Sequence, residues 1–210
     1  MKIVWHGHSC FWIETKGVKF LIDPYPDVDD DKIGDVDYIL ITHEHSDHYG
    51  KVELLSRLRG AEVIGPRAVC TMAEAEGVKR IREARAGETL DLSGVTVKVL
   101  LVEHPSSQYP LAYLIKGDRT VLHVGDTYPT PLLQNLNERI DVLLVPISGR
   151  STANEMEAAQ IVEDIRPRIT IPMHYGTYSD GDPEKLRKVL MDNRIFTLLK
   201  VLKPLEVFEI

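Results

Sequence analysis

Short apolar segments alternate with polar turns along this chain, and their periodicity predicts the strands of an α/β protein. Tyr38–Thr42 is a continuous apolar run, the pattern of a strand buried on both faces. Other runs are short, rich in apolar residues and separated by polar turns, as strands are. These strands are predicted at Lys2–Trp5, Cys10–Thr15, Val18–Ile22, Glu62–Ile64, Val78–Arg82, Glu88–Leu92, Val95–Val102, Leu111–Lys116, Thr120–Val124, Asp141–Val145 and Ile169–Met173, with two more before Ile210.

Between the strands, a 3.6-residue period predicts helices. It is clearest in Ala153–Ile165, where the apolar positions follow a spacing of three and four. Thr152 or Asn154 can cap that helix, and Pro167 follows its end. Further helices are predicted at Lys51–Leu58, Arg67–Glu76, Pro131–Glu138 and Pro183–Met191. Strands and helices in this order favour a layered α/β architecture, with sheets in the middle and helices outside.

Composition favours one folded domain over residues 1–210. The chain has 210 residues, of which 43% are hydrophobic and 27% charged, so it can bury a sizeable core. The two cysteines, Cys10 and Cys70, are too few for a disulfide framework, and we expect both to be buried and unreactive.

The charge and hydropathy of the chain limit the kinds of partner that it is expected to bind. The net charge is −7, and no run of five or more Lys and Arg occurs, which argues against nucleic-acid binding. No run of 18 apolar residues occurs, so no membrane span is expected. The first residues are too polar for a signal peptide, and the predicted location is the cytoplasm.

The segment Thr42–His48 contains the first group of candidate metal ligands. Directly after the apolar strand it contains three histidines and one aspartate, namely His43, His45, Asp47 and His48. In extended chain, residues two apart point the same way, so His43 and His45 can reach one metal ion. The turn into the following helix can aim Asp47 and His48 at a neighbouring point, which indicates two metals. The alternative is a polar loop with surface histidines, which this spacing disfavours.

More candidate ligands follow other predicted strands. His104 and His174 come after strands, at the ends where α/β sheets place their ligands. Asp126 also follows a strand, and its carboxylate can bridge two metal ions. Asp23 ends another strand and suits a supporting role, in which it holds either the other ring N–H of a ligating histidine or the amides of a loop.

The pattern resembles the metallo-β-lactamase superfamily. Asp23, the H-x-H-x-D-H run of residues 43–48, His104, Asp126 and His174 occur in the order of its five motifs. The resemblance implies a four-layer αββα sandwich with the metals at one edge between the sheets. It also implies one metal held by His43, His45 and His104, and another held by Asp47, His48 and His174, with Asp126 bridging.

Within the superfamily, the chain resembles the small metal-dependent hydrolase branch that includes ascorbate-6-phosphate lactonase. The resembling segments are Gly7–Phe11, Leu21–Pro24, Gly125–Thr127, Pro146-Ile147 and Pro172–Tyr175. One departure is the stretch 104–110, which is shorter and less glycine-rich than is usual after the third motif, so the substrate pocket is expected to differ. Relatives in this branch often assemble, which leaves a homo-oligomer as one option, but the sequence does not determine the oligomeric state.

Several other side chains remain open to more than one interpretation. His8 either lines the site or makes structural hydrogen bonds, His6 is expected to be structural or exposed, and His123 is expected to be a core residue. Residues beside the ligands are candidate substrate contacts, with Tyr175 and Ser106 ranked first; the others are Ser107, Tyr109, Tyr128 and Arg150.

Together these observations predict a binuclear metal-dependent hydrolase. A hydroxide bridging two divalent ions would attack a small ester, lactone or phosphodiester, with Asp47 orienting it. Zinc suits imidazole and carboxylate ligands, and manganese, iron and nickel are also possible. The alternatives are an iron-binding redox or sensor protein on the same fold, and a nuclease.

Overall fold

The computed structural model describes residues 1–176 and 178–210. The strands are β1 Lys2–Gly7, β2 Cys10–Thr15, β3 Val18–Ile22, β4 Tyr38–Leu40, β5 Glu62–Gly65, β6 Ile81–Glu83, β7 Thr89–Leu92, β8 Val95–Leu101, β9 Leu111–Lys116, β10 Thr120–His123, β11 Val142–Pro146, β12 Ile169–Met173, β13 Leu198–Leu199 and β14 Val207–Glu209. The helices are α1 Ser46–Tyr49, α2 Val52–Arg59, α3 Arg67–Ala75, α4 Pro131–Gln134, α5 Glu155–Ile165 and α6 Pro183–Asp192, and a 3₁₀ turn lies at Asp30–Lys32.

The strands form two seven-stranded sheets built on the same plan. The first has the order β14-β1-β2-β3-β4-β5-β6, and the second has the order β13-β12-β11-β10-β9-β8-β7. In the first sheet, the pairs from β14 to β3 are antiparallel and those from β3 to β6 are parallel. In the second sheet, the pairs from β7 to β10 are antiparallel and those from β10 to β13 are parallel.

The main core lies between the two sheets. Side chains alternate along each strand, so Phe11 and Ile13 of β2 enter this core while Cys10 lies on the opposite face. From the second sheet, Val97 and Tyr113 pack into the same layer. The aromatic ring of Tyr113 is fully buried there, and its hydroxyl donates to the carbonyl of Ile41 at 2.8 Å.

Helices cover the outer face of each sheet. On the first sheet, Leu55 of α2 and Val69 of α3 belong to one buried cluster. On the second sheet, Ile161 of α5 and Leu186 of α6 belong to another. The molecule is therefore a four-layer αββα sandwich, and the predicted fold class is confirmed.

The main differences from the sequence prediction are one strand start, one helix end and one added helical turn. The predicted strand Val78–Arg82 is wrong at its start, because the amide of Val78 donates to the carbonyl of Ala73 and closes α3. The helix predicted at Pro131–Glu138 ends at Gln134. One short helical turn, α1, was absent from the prediction. Among the helices of the described residues, none is long and apolar enough to cross a membrane.

Candidate metal centre

The candidate ligands meet at one edge of the sandwich. In the first sheet, β1, β3 and β4 run in the same direction, and in the second sheet β8, β10 and β12 do so. Backbone bonds join the ends of the two sheets: the amide of His174 donates to the carbonyl of His8 at 3.2 Å. The residues just beyond these strands are His8, Asp23, His43, His104, Asp126 and His174.

Three of these residues have left-handed backbone conformations. The φ angles are 49° at His8, 47° at Asp23 and 62° at His174. A residue other than glycine adopts this region at a cost in free energy, and such strain concentrates at functional sites. At each of these positions the chain turns sharply at a strand end, which directs the side chain into the shared edge.

Asp23 organises the first half of the site. Its carboxylate is fully buried and accepts from the amide of Thr42 at 2.8 Å and from the Thr42 hydroxyl at 2.7 Å. The same carboxylate lies 2.8 Å from Nδ1 of His48. A carboxylate only accepts, so Nδ1 of His48 carries the proton and Nε2 is left free to bind a cation. This arrangement agrees with the supporting role predicted for Asp23.

His43, His45 and His104 converge on one point. Nδ1 of His45 lies 3.0 Å from Nε2 of His43 and 3.2 Å from Nε2 of His104. Nitrogens bound to one tetrahedral Zn²⁺ at its usual bond length lie about 3.3 Å apart, so these three atoms fit a metal ion. On the far side of its ring, Nε2 of His45 donates to the carbonyl of Ser106 at 3.1 Å, which leaves Nδ1 for the ion.

His48, His174 and Asp126 form the adjacent group. Oδ1 of Asp126 lies 3.0 Å from Nε2 of His174, and its Oδ2 lies 3.6 Å from Nε2 of His48 and 4.0 Å from Nε2 of His104. The carboxylate thus faces both groups. The 3.0 Å contact between Asp126 and His174 is not aligned as a hydrogen bond, so Nε2 of His48, Nε2 of His174 and Oδ1 of Asp126 are buried without a hydrogen-bond partner. Buried polar atoms are almost always satisfied, so this cluster fits a bound cation.

Asp47 and His8 form a pair beside the second group. Oδ2 of Asp47 lies 3.2 Å from Nε2 of His8. The ring of His8 is almost fully buried and lies 4.0 Å from the ring of His174, centroid to centroid. His8, His48 and His174 each offer a nitrogen within 4.8 Å of the others. His8 therefore lines the site, which was one of the two interpretations left open by the sequence.

Electrostatics favour the ligand form of most of these imidazoles. Burial lowers the pKa of His43 and of His104, and it lowers the pKa of His174 to about 4. These rings are neutral at pH 7, the state that binds metals. Burial opposes protonation of His48 too, but the carboxylates of Asp126 and Asp23 outweigh it and raise its pKa. The same carboxylates attract a cation to its Nε2.

A cleft of about 270 Å³ opens over the two groups. Ser106 lies in its wall, whereas Tyr175 does not line it, because the Tyr175 ring stacks on Trp5 at 4.4 Å and its hydroxyl donates to the carbonyl of Leu202. The position of Tyr175 therefore does not support the substrate contact predicted for it. The wall also contains Ser148, Arg150, Ser151, Tyr178 and Ser179. Of these, only Arg150 was a sequence candidate, since loop residues carry no periodic signal.

The two other histidines lie outside both groups. His123 is buried, with Nε2 at 3.0 Å from the carbonyl of Ser9 and Nδ1 accepting from the amide of Gly125, so the core role predicted for it is confirmed. His6 is buried rather than exposed.

Comparison with known proteins agrees with this geometry. Residues 2–174 match the family model of the beta-lactamase superfamily domain. The chain is 58% identical over 210 residues to a UPF0173 protein of Pyrococcus furiosus, with both chains covered completely. The chain belongs to the UPF0173 family of the metallo-β-lactamase superfamily.

Other UPF0173 members and solved structures extend the match. A UPF0173 metal-dependent hydrolase of Methanopyrus kandleri is 31% identical over 230 residues, with 100% of both chains covered. Igni18, a metallo hydrolase from Ignicoccus hospitalis, superimposes with a TM-score of 0.88 at 26% identity, over 100% of this chain and 98% of that one. Membership of UPF0173 supports metal-dependent hydrolysis as the class of activity. The resemblance to ascorbate-6-phosphate lactonase stays a prediction.

Proposed function

We propose that this protein is a binuclear metal-dependent hydrolase. One ion would be held by His43, His45 and His104, and the other by Asp47, His48 and His174. Asp126 would bridge them. The observation that carries the proposal is the cluster of buried, unpartnered ligand atoms on His48, His174 and Asp126, next to three imidazole nitrogens at metal-ligand spacing.

The donor set defines the chemistry. Two divalent ions bound here would supply hydroxide at neutral pH and polarise the oxygen of a substrate carbonyl or phosphoryl group. No serine or cysteine nucleophile is then needed. Cys10 is buried in the sheet, where desolvation, together with Asp23, raises its pKa well above the usual value. This thiol is therefore held in its unreactive form.

The chain's own residues orient water and relay a proton. Asp47 is the more exposed carboxylate of the site, with 43% of its side chain accessible, and His8 holds one of its oxygens at 3.2 Å. The hydrogen bond to His8 and the charge of His48 outweigh burial and keep the pKa of Asp47 low, so it is ionised. Asp47 can therefore orient a water molecule, accept a proton from it and pass that proton to the leaving group.

The cleft supports a small substrate. A volume of about 270 Å³ lies at the low end for ligand pockets, which favours a small ester, lactone or phosphodiester. We expect Zn²⁺ because neutral imidazole and carboxylate are its usual ligands in hydrolases.

Elemental analysis of protein purified without added metal tests the proposal, together with assays on p-nitrophenyl phosphodiesters and simple lactones. We expect about two Zn or Mn per chain and turnover that EDTA abolishes. Asp126→Asn should lose at least one ion and lower kcat by about a hundredfold or more. Asp192→Asn makes the same chemical change at an exposed helix end and should alter neither value.

The other outcomes are equally informative. Two iron atoms without hydrolysis would contradict the hydrolase and favour the redox or sensor alternative. Absence of metal after reconstitution would refute the binuclear centre itself. Full metal content and turnover in Asp126→Asn would refute the bridging role.

A further inference from the structure

The loop between β11 and α5 is held in a fixed position beside the cleft by hydrogen bonds. Its base is tied to the segment after β10: the amide of Thr127 donates to the Thr152 hydroxyl at 3.0 Å, and the amide of Ala153 donates to the carbonyl of Thr127 at 2.9 Å. Asn154 then caps α5, where its side chain accepts from the amides of Met156 and Glu157. Both Thr152 and Ala153 are fully buried. The loop therefore keeps a fixed position relative to Asp126.

The same loop presents Arg150 at its tip. The residues on either side of it have left-handed backbone angles, with φ 71° at Gly149 and 58° at Ser151. The amide of Arg150 lies 3.3 Å from the Ser148 hydroxyl. A sharply turned, well-anchored loop of this kind positions Arg150 at the wall of the cleft, with 71% of its side chain accessible.

The walls of the cleft are polar. Among the described lining residues, Arg150 is the only Lys or Arg, and none has an aliphatic side chain. Apart from Arg150, the candidate ligands and the adjacent His8, the described lining residues carry hydroxyl groups: Ser106, Ser148, Ser151, Tyr178 and Ser179. Such walls select a hydrophilic molecule with hydrogen-bonding groups, and the guanidinium fork matches a carboxylate or phosphate.

The guanidinium of Arg150 is already paired in this structure, with Asp180. Its carboxylate forms an ion pair with Arg150, and both side chains are 71% accessible. Exposed ion pairs contribute little to stability, so a substrate anion can replace Asp180 at small cost. The pair also limits rotation of the long arginine side chain before substrate arrives.

We propose that Arg150 anchors the anionic group of the substrate, so that the enzyme acts on small, hydroxyl-bearing molecules carrying a carboxylate or a phosphate. This inference rests on the proposed function of the adjacent metal centre. Arg150 sets the orientation of the substrate, and Asp180 holds Arg150 in place until the anion displaces it.

Calorimetric titration of the metal-loaded protein tests the anchor without relying on turnover. The probes are succinate and glycerol 3-phosphate, with butane-1,4-diol and glycerol as neutral counterparts. Anions can also bind to the metal ions themselves. The difference in anion affinity between wild type and Arg150→Ala therefore gives the contribution of the arginine alone. We expect Arg150→Ala to bind the anions roughly tenfold to a hundredfold more weakly, and Arg150→Lys to fall in between.

Asp180→Asn should change the anion affinity in the opposite direction. Without its competitor, Arg150 should bind the anions up to about fivefold more tightly. Arg187→Ala removes another ion-paired arginine, on α6, and should leave anion binding unchanged. If Arg150→Ala loses more affinity for one of the two anions, that anion represents the group that Arg150 prefers. Equal losses of affinity for both support a general anion site.

Unchanged anion binding in Arg150→Ala would overturn the anchor, as would an equal loss for the neutral probes. Metal content is measured on every sample. If no metal binds, the proposed function fails by itself, and the same titration of the protein as purified still tests Arg150.

Discussion

At the scale of single residues, the site is defined as much by hydrogen-bond acceptors as by ligands. His43 has its Nδ1 3.0 Å from the Thr42 hydroxyl, and that hydroxyl donates to Asp23, so it accepts from His43. His45 is held by the carbonyl of Ser106, and His48 by Asp23. In each ring one nitrogen is occupied and the other is free, so the free nitrogens all face the cation positions.

Asp23→Asn tests this control over the imidazole. An amide NH₂ in place of Oδ2 would face the N–H of His48, so His48 would shift its proton to Nε2, the atom that must bind metal. We expect metal affinity to fall about tenfold to a hundredfold, measured by competition with a chelator. Asp192→Asn is the matched control, and equal affinity in the two variants would contradict this role of Asp23.

His6 gives the fold a dependence on pH. Burial lowers its pKa from 6.5 to about 4, and Asp29 only partly opposes this. The unfolded chain therefore binds a proton that the folded chain does not, and stability falls as the pH falls from 6.5 to 4, by roughly 3 kcal/mol in total.

His6→Asn removes that titration. In urea denaturation of EDTA-treated protein, its free energy of unfolding should fall less between pH 6.5 and pH 4 than that of the wild type. EDTA treatment removes any contribution from metal release. An identical fall in the two proteins would contradict the prediction.

The structure brings together the candidate ligands named from the sequence, whereas most residues that line the cleft were not named from it. The run of residues 43–48 is informative by itself, because four candidate ligands fall within six positions after one strand. Tyr178 and Ser148 reach the cleft only because loops from distant parts of the chain meet there, and no local pattern encodes that. Tyr175 follows His174 directly, yet the left-handed turn at His174 sends its ring against Trp5.

At the scale of elements, strand positions were predictable and some strand starts were not. Alternation along β8 marks the face that enters the core between the sheets, and the structure agrees with it, whereas β9 is apolar along its length because both of its faces are buried. The start of β6 depends instead on its partner, since Ile81 pairs with Val63 while Val78 is still bonded to α3. A sequence pattern contains the periodicity of a strand but no information on register.

Gly50, at the end of α1, shows how closely the elements approach. Its φ is 30°, and a Cβ there would lie 2.3 Å from the carbonyl oxygen of Pro24. Gly60, at the end of α2, has φ 68° and open space around its Cβ position.

Gly50→Ala should therefore lower the free energy of unfolding by roughly 3 kcal/mol, and Gly60→Ala by only about 1 kcal/mol, as measured by urea denaturation. Because α1 carries Asp47 and His48, the first variant should also bind metal more weakly. Equal destabilisation of the two variants would show that the backbone at residue 24 moves aside.

At the scale of the whole molecule, the centre joins the two sheets. His43, His45, Asp47 and His48 follow strands of the first sheet, and His104, Asp126 and His174 follow strands of the second. Each proposed ion takes ligands from both. Ion binding should therefore stabilise the packing of one sheet on the other as well as supply chemistry.

The shared strand plan has a consequence for how the centre is assembled. Each sheet is three antiparallel pairings followed by three parallel ones, yet the outermost strand of the first sheet, β14, comes after the last strand of the second sheet in the chain. The first sheet is thus complete only after the second has been added to the chain. Because neither sheet supplies all the ligands proposed for either ion, both must be folded and packed together before an ion can bind.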